Sequence, residues 1–254
     1  MKVSSYNEYK KKLDGRGDVF VFRGQAFADY VLIPSGLREK HILKADSQMF
    51  EFVDEMKEIF GFDELTCIEL AQHFALPTRM LDFSYSYDVA LFFACYDKKK
   101  RHLEDDGKVF IFNKTKYENI LKERNKLSSQ VVRNNKLLYE WLQKYIDKEK
   151  MINNEGLDMP IFVDATQQFD RLYMQQGLFL LWGRDECCLE DIFKKENIEF
   201  SEVIDTIIIK KEAKEEILKE LSTKNINEDT LYMNISKIKD LVQRIKYGDA
   251  KTNN

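Results

Sequence analysis

Three stretches of this 254-residue chain set polar groups that resist burial among apolar neighbours. The first is Phe20, Val21, Phe22, Arg23, Gly24 and Gln25. A guanidinium closing an apolar strand cannot be neutralised in the interior, so Arg23 must meet a carboxylate, carbonyls or a ligand anion. Gly24 beside it lets a ligand or another backbone come close. The second stretch runs from Ala71 to Ser84, where Gln72, His73, Thr78, Arg79, Asp82 and Ser84 carry amide, imidazole, hydroxyl, guanidinium and carboxylate groups between apolar residues. Such density suggests a convergent polar network. The third is Arg171 to Phe179, in which Gln175 and Gln176 precede Gly177 and an apolar run.

Each of these residues also has an ordinary structural role open to it. Arg23 could form an ion pair with Asp82, and His73 could be a satisfied core histidine. Thr78 could cap the element after Pro77, and Ser84 could cap a helix over Tyr85 to Tyr96. Gln175 and Gln176 could satisfy backbone groups beside Gly177. Ser84 lacks the G-x-S-x-G elbow of a serine hydrolase, and no Walker-type phosphate loop is present.

The elements that position these groups are legible in part. Asp14 to Gly17 reads as a turn between a weak helix over Ser5 to Leu13 and a strand over Val19 to Arg23. Helical spacing covers Ser47 to Phe60 and Asp63 to Phe74, and Pro77 stops the second of these. Val89 to Ala94 reads as a buried helix, with a buried strand as the alternative. Val109 to Phe112 and Leu178 to Trp182 read as strands, and Leu127 to Ile146 and Ala165 to Met174 as helices. Val203 to Lys210 is the cleanest strand, and its three consecutive isoleucines suggest burial on both faces. Lys211 to Leu221 and Ser236 to Ile245 then read as helices, before a polar tail from Asp249 to Asn254.

Apolar residues make up 44% and aromatics 13%, with 10 Gly and 3 Pro, which fits a packed globular chain and excludes disordered or collagen-like classes. No apolar run reaches the length of a signal or membrane segment, so a cytoplasmic protein is expected. Cys67, Cys95, Cys187 and Cys188 show no zinc-type spacing; no metal is expected, and buried free thiols are. Residues 97 to 148 hold 14 Lys/Arg against 8 Asp/Glu, so on an overall charge of -4 the remainder carries about 10 net negative charges. This basic segment is either a solvated helical face or a surface that steers nucleic acid or a protein target. The reading is a single α+β domain over 1–254: a small mixed sheet or sheets flanked by helices, a basic helical insert over about 97–148, and a strand with helices over about 200–247.

The three stretches, in this order, resemble the FRG family, named for its Phe-Arg-Gly signature. Phe22, Arg23 and Gly24 fit that signature. Ala71 to Ser84 fits a family run of the form AQH(Y/F)GLPTRLLDWT that precedes an ALFFA element, and Arg171 to Phe179 fits a later R-x-x-Q-x-G-x-F pattern. Ala75 stands for the usual glycine, Met80 for leucine, Phe83 for tryptophan and Ser84 for threonine. The resemblance spans about residues 18–183. A second, fainter likeness is to ADP-ribosyltransferases: an Arg-Gly first strand, a hydroxyl segment before an Ala-rich helix, and a late Gln strand.

That likeness implies a nucleotide-type site with NAD as co-substrate, the chemistry used by toxins and phage-defence effectors. Arg23, His73, Asp82 and Gln176 would be its catalytic residues. Arg23, Gly24, Gln72, Thr78, Arg79 and Ser84 would hold the dinucleotide. Cleaving the nicotinamide–ribose bond passes through an oxocarbenium-like state, so the site must anchor phosphates and offset positive charge. The glutamate this likeness requires falls at position 178, where the chain has Leu178. A binding module for a nucleotide, nucleic acid or protein, without chemistry, is the alternative.

Overall fold

The computed structural model describes residues 1–16, 19–39, 41, 44–124, 159–165, 174–183 and 185–232. The helix expected over Leu127 to Ile146, that over Ser236 to Ile245, the polar tail and most of the Ala165 to Met174 helix lie outside the described residues. So do Arg171, Leu172 and Tyr173 of the third stretch.

Strands β1 (Lys2–Val3), β2 (Phe20–Gln25), β3 (Met80–Ser84), β4 (Gly107–Asn113), β5 (Ile161–Asp164), β6 (Gly177–Leu181) and β7 (Ile204–Ile209) form one mixed sheet. Their order is β1-β7-β4-β2-β3-β6-β5. The β1–β7 pair is parallel and the others are antiparallel. Successive residues of β2 and β4 feed opposite sides. Val21, Phe110 and Phe112 enter one apolar core with Phe83, Leu178 and Phe193, whereas Phe22, Val109 and Ile111 enter another with Tyr9, Leu91 and Ile217. The fold is therefore the single α+β arrangement expected, with one sheet between two cores.

Helix α1 (Tyr6–Leu13) starts where the Ser5 side chain accepts from the Glu8 N–H, and it buries Tyr6, Tyr9 and Leu13 at helical spacing. Helix α2 (Ala45–Phe60) closes on Gly61, at φ +68°, and α3 (Glu64–His73) opens on an Asp63 cap. Helix α4 (Tyr87–Cys95) is buried almost all round, as expected for Val89 to Ala94. Val89, Leu91 and Phe92 are each worth roughly 1.5–3 kcal/mol of burial there. Two glycines admit it to the sheet: a Cβ at Gly24 would lie 1.8 Å from the Ala90 carbonyl oxygen, and one at Gly107 2.0 Å from that of Ala94.

Helix α5 (Lys114–Glu123) follows β4, then α6 (Leu189–Lys195), α7 (Phe200–Val203), α8 (Lys214–Thr223) and α9 (Glu228–Tyr232) complete the described chain. Three expectations change. The basic 97–148 segment is not helical throughout: the strand expected over Val109 to Phe112 runs over residues 107–113, paired on both edges, with α5 after it. In β7, Ile207 and Ile209 are buried but Ile208 is only half-buried, so the strand alternates. The α4 cap is Ser86, whose hydroxyl accepts from the Val89 N–H, because β3 extends through Ser84. No helix among the described residues is long and apolar enough to cross a membrane. Cys67 and Cys95 are buried free thiols, while Cys187 and Cys188, also free, are half-buried.

Candidate functional site

The sheet is almost divided beside Arg23. Strand β2 registers with β4 at six residue pairs, from Phe20↔Asn113 to Gln25↔Lys108. On its other edge it registers with β3 at Phe22↔Ser84 alone, while β3 goes on to five pairs with β6. Arg23 sits at this seam. Its Nη1 donates across to the main-chain carbonyl of Asp82 at 2.6 Å, the kind of bond a strand ladder would otherwise supply.

A cleft of about 210 Å3 opens at the seam, walled by Arg23, Gly24, Asp82, Ser84, Gln175 and the aromatic rings of Phe93 and Tyr232. The buried Nε of Arg23 has no partner among the described residues. Burial lowers the Arg23 guanidinium to about 10, the positive Arg38 adds to the fall and Asp82 opposes it. The group stays cationic at neutral pH, so it presents charge and an unused donor to the seam.

The Gln72 to Ser84 stretch divides into a network that serves this cleft and one that does not. Thr78 Oγ1 donates to Gln72 Oε1 at 2.5 Å, and Gln72 Nε2 donates to Asp82 Oδ1 at 2.6 Å. This relay fixes the Asp82 carboxylate while its Oδ2 bonds nothing among the described residues. Ser84 Oγ donates to the Gln175 carbonyl at 2.6 Å and accepts from the Ser86 N–H at 2.9 Å, which leaves one acceptor position.

Arg79 lies elsewhere. It is 6% exposed and grips both carboxylate oxygens of Asp46 at 2.9 and 2.8 Å, with Nη1 on the Gly183 carbonyl at 2.7 Å. Its donors join α2 to the loop after β6, and it does not line the cleft. His73 ends α3 against the Phe74 ring and also lies outside the lining. Gln176 is exposed at φ +46°, and its main-chain carbonyl accepts from Tyr85 N–H. The cleft is lined instead by Gln175, whose Nε2 donates to the Leu231 carbonyl at 2.8 Å. The sequence offers Gln175 only a structural role, and Phe93 and Tyr232 carry no motif that marks them for a site.

A family model described as FRG domain matches residues 18–103. The match covers 86 of the chain's 254 residues. No curated protein and no solved structure matches the chain. The matched FRG segment carries Arg23 and the whole Gln72 to Ser84 stretch, whereas Gln175 and β6 lie beyond it. Position 75, where the FRG resemblance has glycine, sits at φ +64° as Ala75. A left-handed alanine costs about 1–2 kcal/mol, partly offset by the greater unfolded-state freedom of glycine. Ala75→Gly should therefore raise stability by up to about 1 kcal/mol, read as a higher urea midpoint with an unchanged slope.

Proposed function

We propose that the seam cleft is a nucleotide site of ADP-ribosyltransferase type, with NAD as its co-substrate. The observation that carries this reading is the adjacency of the three motif strands. The Arg strand β2, the hydroxyl strand β3 and the Gln-preceded strand β6 are neighbours in the sheet, and the only loosely paired edge among them is the one beside Arg23.

In this reading Arg23 grips a phosphate through its unused donors, and charge-assisted bonds of that kind are the stronger class. Phe93 and Tyr232 cover a base or the nicotinamide ring, and the remaining acceptor position of Ser84 takes a ribose hydroxyl. At about 210 Å3 the cleft is smaller than the roughly 300–1,000 Å3 of a whole-ligand pocket, so it takes one end of the dinucleotide. When the bond from C1′ to nicotinamide breaks, the electron pair leaves with nicotinamide and positive charge develops on the ribose. Asp82 is the carboxylate in the lining, and the Thr78–Gln72 relay holds it for that task. An acceptor oxygen or nitrogen then adds to C1′ and loses its proton.

Leu178 favours a second reading, that of a module which binds without chemistry. It fills the late-strand position where the transferase likeness has glutamate, and it is buried opposite Phe83. Lys98, in the basic run before β4, lies 5.3 Å from the Tyr232 ring at the cleft wall, which suits a polyanionic or phosphorylated partner.

Calorimetry with NAD, together with nicotinamide release, separates the readings. Transfer requires binding by the native chain, roughly 10- to 100-fold weaker binding by Arg23→Ala, and loss of release but not of binding in Asp82→Asn. Binding without release supports the second reading. A folded native chain that neither binds nor releases removes the nucleotide site altogether.

A further inference from the structure

Away from the seam, Tyr30, His102 and Asp105 stand in the order nucleophile, base and orienting acid. The Tyr30 hydroxyl is 2.7 Å from His102 Nε2, and His102 Nδ1 is 2.9 Å from Asp105 Oδ2. A carboxylate can only accept, so Nδ1 carries the proton that faces Asp105. The Nε2 lone pair is thereby left to accept from the phenol, which is the arrangement that activates a hydroxyl for attack.

The surroundings hold this geometry rigidly. The His102 ring stacks on Phe27 at 4.8 Å, with 10° between the planes, and meets Tyr30 edge-on. Its main-chain N–H donates to Asp97, and Lys214 Nζ donates to the carbonyls of both Ala26 and His102, tying the two loops together. Tyr30 nonetheless remains 42% exposed, so a reagent can reach its oxygen.

Tyr85 supplies an internal contrast. It is 41% exposed, yet its hydroxyl donates directly to Asp164 at 2.7 Å. Burial and the Asp164 carboxylate both raise the proton affinity of that phenol. Two tyrosines of equal accessibility thus have opposite surroundings: one faces a base able to take its proton and pass it on, the other a carboxylate that holds the proton on oxygen.

We propose that Tyr30 is a nucleophilic modification site, which takes an acyl group on its phenol oxygen from an activated ester or thioester with His102 as base and Asp105 as positioning residue. The phenol oxygen bonds to the acyl carbon as its proton passes to His102 Nε2. The bond from that carbon to the leaving group then breaks, and the leaving group departs with the electron pair and collects the proton from His102. A relay that first takes and then returns one proton suits acyl transfer.

The test is acetylation of the intact chain by acetylimidazole at neutral pH, with the label on each tyrosine read by peptide mass spectrometry. Tyr30 should label at least about 10-fold faster than Tyr85, less than the roughly 100- to 10,000-fold of general-base assistance in a closed active site because Tyr30 is open to solvent. His102→Phe keeps a ring on Phe27 and removes the base, so it should slow the labelling of Tyr30 to that of an unassisted exposed phenol. Asp105→Asn still accepts from Nδ1, and should lower the rate without altering the fold. Equal labelling of Tyr30 and Tyr85 in the native chain, or a Tyr30 rate unchanged in His102→Phe, overturns the proposal.

Discussion

Gly24→Ala is expected to destabilise the protein by more than about 3 kcal/mol, a large share of the 5–15 kcal/mol that holds a typical domain together. The added methyl would sit 1.8 Å from the Ala90 carbonyl oxygen and 2.6 Å from the Ala94 nitrogen. Both are backbone atoms of a buried helix, so no rotamer change relieves the clash and α4 must lift from β2. Overpacking of ordinary side chains costs about 1–3 kcal/mol, and a backbone obstacle costs more. Gly15→Ala is the control: it meets nothing within 4 Å but lies at φ +83°, so it carries conformational strain alone. Urea denaturation of the two variants should show a far larger fall in midpoint for Gly24→Ala. A fall no greater than that of Gly15→Ala would mean that α4 does not bear on this strand as described. The glycine of the Phe-Arg-Gly signature is thus explained by helix packing, separately from any ligand its arginine meets.

Arg79→Ala should cost about 3–5 kcal/mol, the range for breaking a buried ion pair from one side. Asp46 would lose both hydrogen bonds and the Gly183 carbonyl its donor. Arg79→Lys should recover only part of this, because one ammonium cannot span both carboxylate oxygens. A double-mutant cycle with Asp46→Ala measures the pair directly, since the coupling survives only if the two side chains act as one unit. Near-additive losses would show that Arg79 is held by the Gly183 carbonyl and Glu186 instead. If the proposed seam site binds NAD, that binding should be sensitive to Arg23→Ala and indifferent to Arg79→Lys in chains that remain folded.

These two arginines show where the sequence stops being legible. Both follow or precede apolar residues inside an FRG motif, and their neighbours do not distinguish them. What separates them is Asp46, 33 positions before Arg79, together with the carbonyl of Gly183. Only the fold brings those groups together. The glutamines divide for a similar reason: Gln176 is turned outward by its left-handed backbone, whereas Gln175 is buried.

Amphipathic helices with clear spacing, such as α2, could be read from their periodicity, and the strands β4, β6 and β7 from their short apolar runs. Strand β3 could not, because Asp82 and Ser84 interrupt its apolar run and disguise a central strand as a polar loop. That one unassigned element also explains why the sequence offers Ser84, and not Ser86, as the cap of α4. The expectation that Arg23 pairs with Asp82 came close in place, but the partner is the Asp82 main chain and the carboxylate is held by Gln72.

With a single matched residue pair between β2 and β3, the main-chain ladder that runs through the rest of the sheet is almost interrupted at one line. Few ladder bonds cross that seam, so the halves are held by the shared apolar core, where Phe83 and Phe162 meet Phe112, and by the Arg23 bridge to Asp82. Because the Arg23 donor without a partner is not the one that bridges to Asp82, one guanidinium can tie the two strands and still meet an anion.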